Sequence, residues 1–204
     1  MTMTEQPLPA PRTHTSEAAH VLVIGATRIL RPAVTTLTTR AVPVLAVARS
    51  APDLLELADE QPDRVTPLAA DVTADGFCAD LHAAAARTPL TGALVYAPAV
   101  PPGKLAQLVR PVVAGPLVLL VTSEWAAPSR SGTGIEPWTP NDLPAEARSG
   151  AAGRLLVLGW HGEGRTARWH SPQEISTGAL ALLDAPVGRD TVLGALRPWA
   201  ARPT

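Results

Sequence analysis

Apolar residues fall into short blocks separated by amphipathic stretches, and the alternation repeats along most of the chain. Val21-Leu22-Val23-Ile24 is an unbroken apolar run that meets Gly25, and Leu30, Val34 and Leu37 follow at helical spacing. This predicts a first strand, a tight turn and a first helix. Val42 to Ala48 gives a second strand, ending at Arg49-Ser50. Ala51 to Gln61 predicts a helix, with Pro52 near its first turn and Leu54, Leu55 and Leu57 on its apolar side. A third strand, Val65 to Ala70, leads into Asp71-Val72, and Asp75 to Arg87 predicts a helix. Ala93 to Ala97 is a fourth strand, and Lys104 to Arg110 has room for one short helix. Within Pro116 to Thr122, five consecutive apolar residues fit a strand buried on both faces.

The pattern weakens from Ser123 to Gly153, where a short helix is expected near Asp142 to Arg148. It resumes with a strand at Leu155 to Leu158, which ends at Gly159-Trp160-His161-Gly162. Pro172 to Asp184 predicts a helix with Ser171 as N-cap and Glu174 completing a capping box. Thr191 to Leu196 gives a last strand. Strands alternating with helices imply an α/β fold, a doubly wound parallel sheet of Rossmann-like type. One domain over residues 18–204 is expected, preceded by a Thr- and Pro-rich tail over 1–17 read as disordered.

A chain of 204 residues suits that single domain. Hydrophobic residues make up 46% and charged residues 17%, as in a compact soluble protein, and a formal charge of -1 gives no argument for nucleic acid or an acidic membrane as partner. Cys78 is the only cysteine, which rules out an internal disulfide framework and a cysteine-based metal site and fits a reducing cytoplasm. Cys78 itself reads as a small core residue, and His82 as structural. No window of eighteen uninterrupted apolar residues is present, so no transmembrane helix is expected. No His, Asp and Glu spacing suggests a metal.

In open α/β sheets, ligands bind outside the carboxyl ends of the strands. That rule selects Gly25, Arg49, Asp71, Tyr96, Ser123 and His161. Glycines in the first turn serve a dinucleotide by making the turn, admitting the pyrophosphate to backbone N–H groups and letting helix pack on strand. Only the first glycine is present. In a G-x-x-G-x-x-G frame the other two places hold Arg28 and Arg31; in a G-x-x-x-G-x-G frame they hold Ile29 and Arg31. The fold signal survives, and the cradle is expected to be damaged. Arg49, ending the second strand, stands where a basic residue meets the 2′-phosphate of NADP, and Arg28 can add a second contact. Arg31 reads more readily as a solvated helix residue. His161 can act as acid or base near neutral pH or be an exposed loop histidine. Ser123 can bind a substrate carbonyl or cap a turn, and Tyr96 can donate a proton or pack. Trp125, Trp138 and Trp160 can line a pocket or pack under the long loop.

With these residues in place the chain resembles the short-chain dehydrogenase/reductase superfamily over roughly residues 20 to 200. Gly25-Ala26-Thr27 resembles the start of its glycine-rich turn, Asp71-Val72 its adenine-contacting Asp-Val, and Tyr96-Ala97-Pro98 its Asn-Ala-Gly, with Ala97 alone matching. Ser123 resembles its catalytic serine. Arg168-Trp169-His170-Ser171-Pro172-Gln173-Glu174-Ile175-Ser176 and Gly194-Ala195-Leu196-Arg197-Pro198-Trp199 are similar to the endings of a compact bacterial branch. One departure is large. The family's Tyr-x-x-x-Lys pair has no counterpart, since Tyr96 and Lys104 are the only tyrosine and lysine and neither lies between Glu124 and Gly153. The lysine of that pair lowers the tyrosine pKa for proton exchange with substrate oxygen.

The resemblance implies an NADP(H)-dependent enzyme acting on a small biosynthetic metabolite. Its cofactor would touch Gly25, Thr27, Arg28, Arg49, Asp71, Val72 and Ala97, and proton transfer would fall to His161, Ser123, Tyr96 or an ordered water. It also implies a homodimer through helices flanking the fifth and sixth strands. Two other readings stand beside it: a cyclase, isomerase or lyase on the same scaffold, and a non-catalytic nucleotide sensor or partner-binding protein.

Overall fold

The computed structural model describes residues 20–128, 133–148, 153–186 and 189–204; the tail expected over 1–17 lies outside the described residues. Seven parallel strands form one sheet. In chain order they are β1 (His20–Ile24), β2 (Val44–Ala48), β3 (Val65–Ala69), β4 (Leu90–Val95), β5 (Leu117–Thr122), β6 (Arg154–Leu158) and, last, β9 (Thr191–Leu193). Across the sheet the order is β3-β2-β1-β4-β5-β6-β9. A separate two-stranded hairpin, β7 (Trp160–His161) and β8 (Arg168–Trp169), follows β6.

Burial explains the strand pattern. β1, β2 and β5 are almost wholly buried and are built on unbroken apolar runs, β4 is buried apart from Thr91, and β3 at the edge is largely exposed and tolerates Pro67. Helices α1 (Arg31–Thr39), α2 (Ala51–Glu60) and α5 (Pro172–Asp184) cover one face through Leu37, Leu57 and Leu180. Helices α3 (Phe77–Ala85) and α4 (Pro102–Val109) cover the other through Phe77, Leu81 and Leu105, joined there by Ala126, Leu143 and Ala147 of the long β5–β6 connection.

The chain steps outward from β6 to β9 through a helix on the α1 face. That crossover has the opposite hand to the others, which follow the usual right-handed rule. It packs α5 against α1 and brings the two helix N-termini together at the carboxyl end of the sheet.

Several boundaries and assignments move from those expected. β2 starts after Pro43, and β9 stops at Leu193 because Gly194 turns the chain at φ +81°. The helix expected near 142–148 is replaced by two 3-10 turns, Pro140–Asp142 and Ala145–Ala147, because Pro144 cannot continue the first. Leu55 is exposed, since only Leu54 and Leu57 face the sheet. Cys78, expected in the core, is exposed on α3 because Phe77 and Leu81 take the inward positions, and His82 is exposed as well. The capping box forms as expected: Ser171 Oγ accepts from the Glu174 N–H at 3.3 Å, and Glu174 Oε2 accepts from the Ser171 N–H at 2.8 Å. Among the described residues no helix is long and apolar enough to cross a membrane.

Candidate functional site

The chain order reverses between β1 and β4, and the crevice at such a switch point is where ligands settle in open sheets. Gly25 and Tyr96 directly follow those two strands. Gly25 has φ +89°, and a Cβ on it would lie 2.8 Å from the Tyr96 carbonyl oxygen and 3.6 Å from the Tyr96 ring. Both the backbone angle and the close approach of the β4 loop therefore require glycine here.

The turn after Gly25 keeps open donors. The Gly25 and Ala26 N–H groups bond to Val47 O, and Leu30 N–H bonds to Gly25 O. The N–H groups of Thr27, Arg28 and Ile29 find no backbone acceptor among the described residues. Three successive free donors at the start of a helix suit an anion. Pro32 adds no donor of its own.

The two arginines in the glycine positions behave differently. Arg31 turns away from the crevice and pairs with α2, its guanidinium lying 2.6 Å from Glu60 and 3.2 Å from Glu56. Arg28 is exposed and has no ion-pair partner among the described residues. An open cavity of about 440 Å³ lies between the first turns of α1 and α5, with Arg28, Arg31, Thr36 and Gln173 in its lining.

The remaining positions line the same edge. Arg49 is exposed after β2, beside Asp71 after β3. The hydroxyl and N–H of Thr73 donate to Asp71 Oδ1 at 2.7 and 2.9 Å. These bonds, with a smaller pull from Arg49, hold the Asp71 carboxyl below its ordinary range. Val72 and Ala97 are half-buried beside the opposite-face core. Tyr96 is half-buried on the α1 side, and burial pushes its phenol above the ordinary value. Ser123 opens a 3-10 turn after β5, is buried, and its hydroxyl has no hydrogen-bond partner among the described residues.

His161 sits on β7, exposed, opposite Arg168 on β8. Adjacent strands lie about 5 Å apart. The ends of β1, β4, β5 and β6 therefore bring Gly25, Tyr96, Ser123 and the start of the hairpin into one row. Lys104 is exposed on α4 and is not part of it. Trp125 and Trp138 are half-buried against the core, while Trp160 is buried and meets Trp169 and Trp199 edge to face. Among the described residues no group of three or more His, Cys, Asp or Glu side chains has metal-site geometry.

Sequence reasoning passed over the hairpin and its surroundings. Arg168 makes a two-pronged pair with Glu174, 2.8 Å on each side, and His170 lies buried beside them. The usable signal was position: His170 precedes an N-cap, where side chains commonly pack against the first turns of the helix.

No protein-family model matches this sequence, and comparison with curated proteins gives no match. Solved structures do match in shape. A 3-hydroxyacyl-CoA dehydrogenase type-2 from Mycobacterium avium aligns over 95% of this chain and 99% of its own, at 17% identity and TM-score 0.60. A 3-oxoacyl-[acyl-carrier protein] reductase with bound NAD from Brucella melitensis aligns over 95% and 98%, at 14% identity and TM-score 0.58. The yeast methylglyoxal/isovaleraldehyde reductase complexed with NADPH aligns over 86% and 75%, at 11% identity and TM-score 0.58. The chain has the fold of the short-chain dehydrogenases and reductases.

Proposed function

We propose that this chain is a short-chain dehydrogenase/reductase-like enzyme that binds NADP(H) and oxidises or reduces a small metabolite without the usual Tyr-Lys pair. The observation that carries this is the β1–α1 turn: glycine where only glycine fits, three N–H groups after it with no backbone acceptor among the described residues, and Arg31 paired with α2. The residues present fit a dinucleotide. The N–H groups of Thr27, Arg28 and Ile29 would hold its pyrophosphate, Asp71 and Val72 its adenine end, and Ala97 would flank it at the β4 end. Arg49, with Arg28, would meet a 2′-phosphate, for which a guanidinium is well matched. When bound, the nicotinamide supplies hydride exchange.

The chain's own groups would handle substrate oxygen and proton. Ser123, whose hydroxyl has no partner among the described residues, follows β5 and would donate to a substrate carbonyl. His161, exposed on β7 beyond the end of β6, would exchange the proton. Tyr96 is weaker for this, because its burial favours the neutral phenol. The missing Tyr-x-x-x-Lys pair supports a second reading, a cofactor-assisted or cofactor-free lyase or isomerase using the same row of residues.

Arg49→Ala tests the cofactor assignment. NADPH affinity should fall about tenfold or more while NADH affinity changes by less than about threefold. Equal losses for the two would remove the 2′-phosphate from Arg49.

A further inference from the structure

Serine and threonine inside a helix commonly turn the hydroxyl back onto the carbonyl four residues earlier, as Thr35, Thr36, Thr39 and Thr177 do. Ser176 on α5 does not. It is 1% exposed, and its hydroxyl donates at 3.2 Å to the carbonyl oxygen of Ile29, 147 residues away in sequence. Alanine is the better helix former, and burying a hydroxyl costs its hydration, so this one bond is what a serine adds here.

The acceptor lies in the β1–α1 turn. Among the described residues no backbone N–H bonds to Ile29 O: Pro32, three positions on, has none, and Val34 N–H goes to Leu30 O. The same peptide group is held at its other end, where Leu30 N–H donates to Gly25 O at 3.3 Å. That bond closes residues 25–30 into a ring, and the N–H groups of Thr27, Arg28 and Ile29 belong to it. The Ile29–Leu30 peptide is thus fastened twice, to Gly25 inside the turn and to α5 outside it.

Apolar packing does not replace this bond. Ile175, Ala179 and Leu180 of α5 share one core with Ala26, Leu30 and Ala33. Such burial is non-directional: it sets how closely α5 lies and leaves the rotation of a peptide plane unspecified. A hydrogen bond prefers the carbonyl plane and does specify it.

We propose that Ser176 is a positioning residue for this turn: its hydroxyl holds the Ile29–Leu30 peptide so that the three N–H donors are preformed for a pyrophosphate. A turn ordered in advance spares the ligand the cost of ordering it. The identity of the ligand rests on the dinucleotide reading above; the ordering of the turn does not.

Ser176→Ala removes the hydroxyl alone, and amide hydrogen exchange of the ligand-free full chain is the first readout. Leu30 N–H should exchange about fivefold or more faster in the variant, with Leu37 N–H, further along α1, unchanged. Equal rates at Leu30 overturn the proposal, and so does an equal rise at Leu37, which would report loosening of the whole helix. NADPH calorimetry follows, where affinity should fall about fivefold, as for one lost hydrogen bond. Leu183→Val is the comparison. It thins the core at the far end of α5, against Gly92 of β4, and should lower the urea midpoint at least as much while leaving NADPH affinity within about twofold. Affinity that follows stability across the two variants makes Ser176 a packing residue and overturns the proposal. If the unaltered chain binds no NADPH, the proposed function fails, and Leu30 exchange alone decides for Ser176.

Discussion

A Cβ at position 25 would meet the Tyr96 carbonyl oxygen at 2.8 Å on a backbone with φ +89°, and neither atom belongs to a flexible side-chain tip. Gly25→Ala should cost about 1–3 kcal/mol in urea unfolding and weaken dinucleotide binding together with it. Arg31 is the contrasting case. Its pairs with Glu56 and Glu60 are exposed and screened, so Arg31→Ala should cost less than about 1 kcal/mol. It should leave NADPH affinity within about twofold. A tenfold loss on calorimetry would mean that Arg31 swings back to the phosphates and that its salt bridges hold only in the empty turn. The partners of Arg31 are 25 and 29 residues away in sequence, which is why the glycine pattern alone reads as a damaged cradle.

Among elements, those with long apolar runs were legible from sequence. β5 and β1 are buried on both faces and announce themselves, and the α5 capping box is written in Ser171 and Glu174. The β7–β8 hairpin was not legible, because strands of two residues show no periodicity and Trp160 is fixed by pairing with distant Ala195. The segment around Glu136 is similar. Glu136 accepts from the Thr133 N–H at 2.9 Å and the Gly134 N–H at 2.8 Å, while Gly134 O accepts from Trp199 N–H at 2.7 Å. The Thr133 amide, with the Thr133 hydroxyl and the Gly134 amide, brings the Glu136 carboxyl down to about 2 from 4.5. A depressed carboxylate adds stability above its unfolded value and loses it as pH falls through the folded one. Glu136→Gln should therefore flatten the acid limb of stability between about pH 4.5 and about pH 2, read from urea midpoints. Superimposable acid limbs would show that the carboxylate does not hold this loop.

At the scale of the whole molecule, strand order and two helix arrays place every candidate residue on one edge of the sheet. The sequence rule about strand ends was enough to find Gly25, Arg49, Asp71, Tyr96, Ser123 and His161 there. The ring contact between His161 and His170 needed tertiary structure, whereas the Thr73 bond to Asp71 is local. The edge carries Gly25, Arg49 and Asp71 at β1 to β3 and Tyr96, Ser123 and His161 at β4 to β7, the two groups that the proposed function assigns to cofactor and to proton. Calorimetric titration with NADPH, and with NADH alongside, tests this most directly. The account predicts micromolar binding of NADPH and at least about tenfold weaker binding of NADH. Failure of both to bind at millimolar concentration would contradict it, and would mean that the three free N–H groups after Gly25 serve some other anion or none.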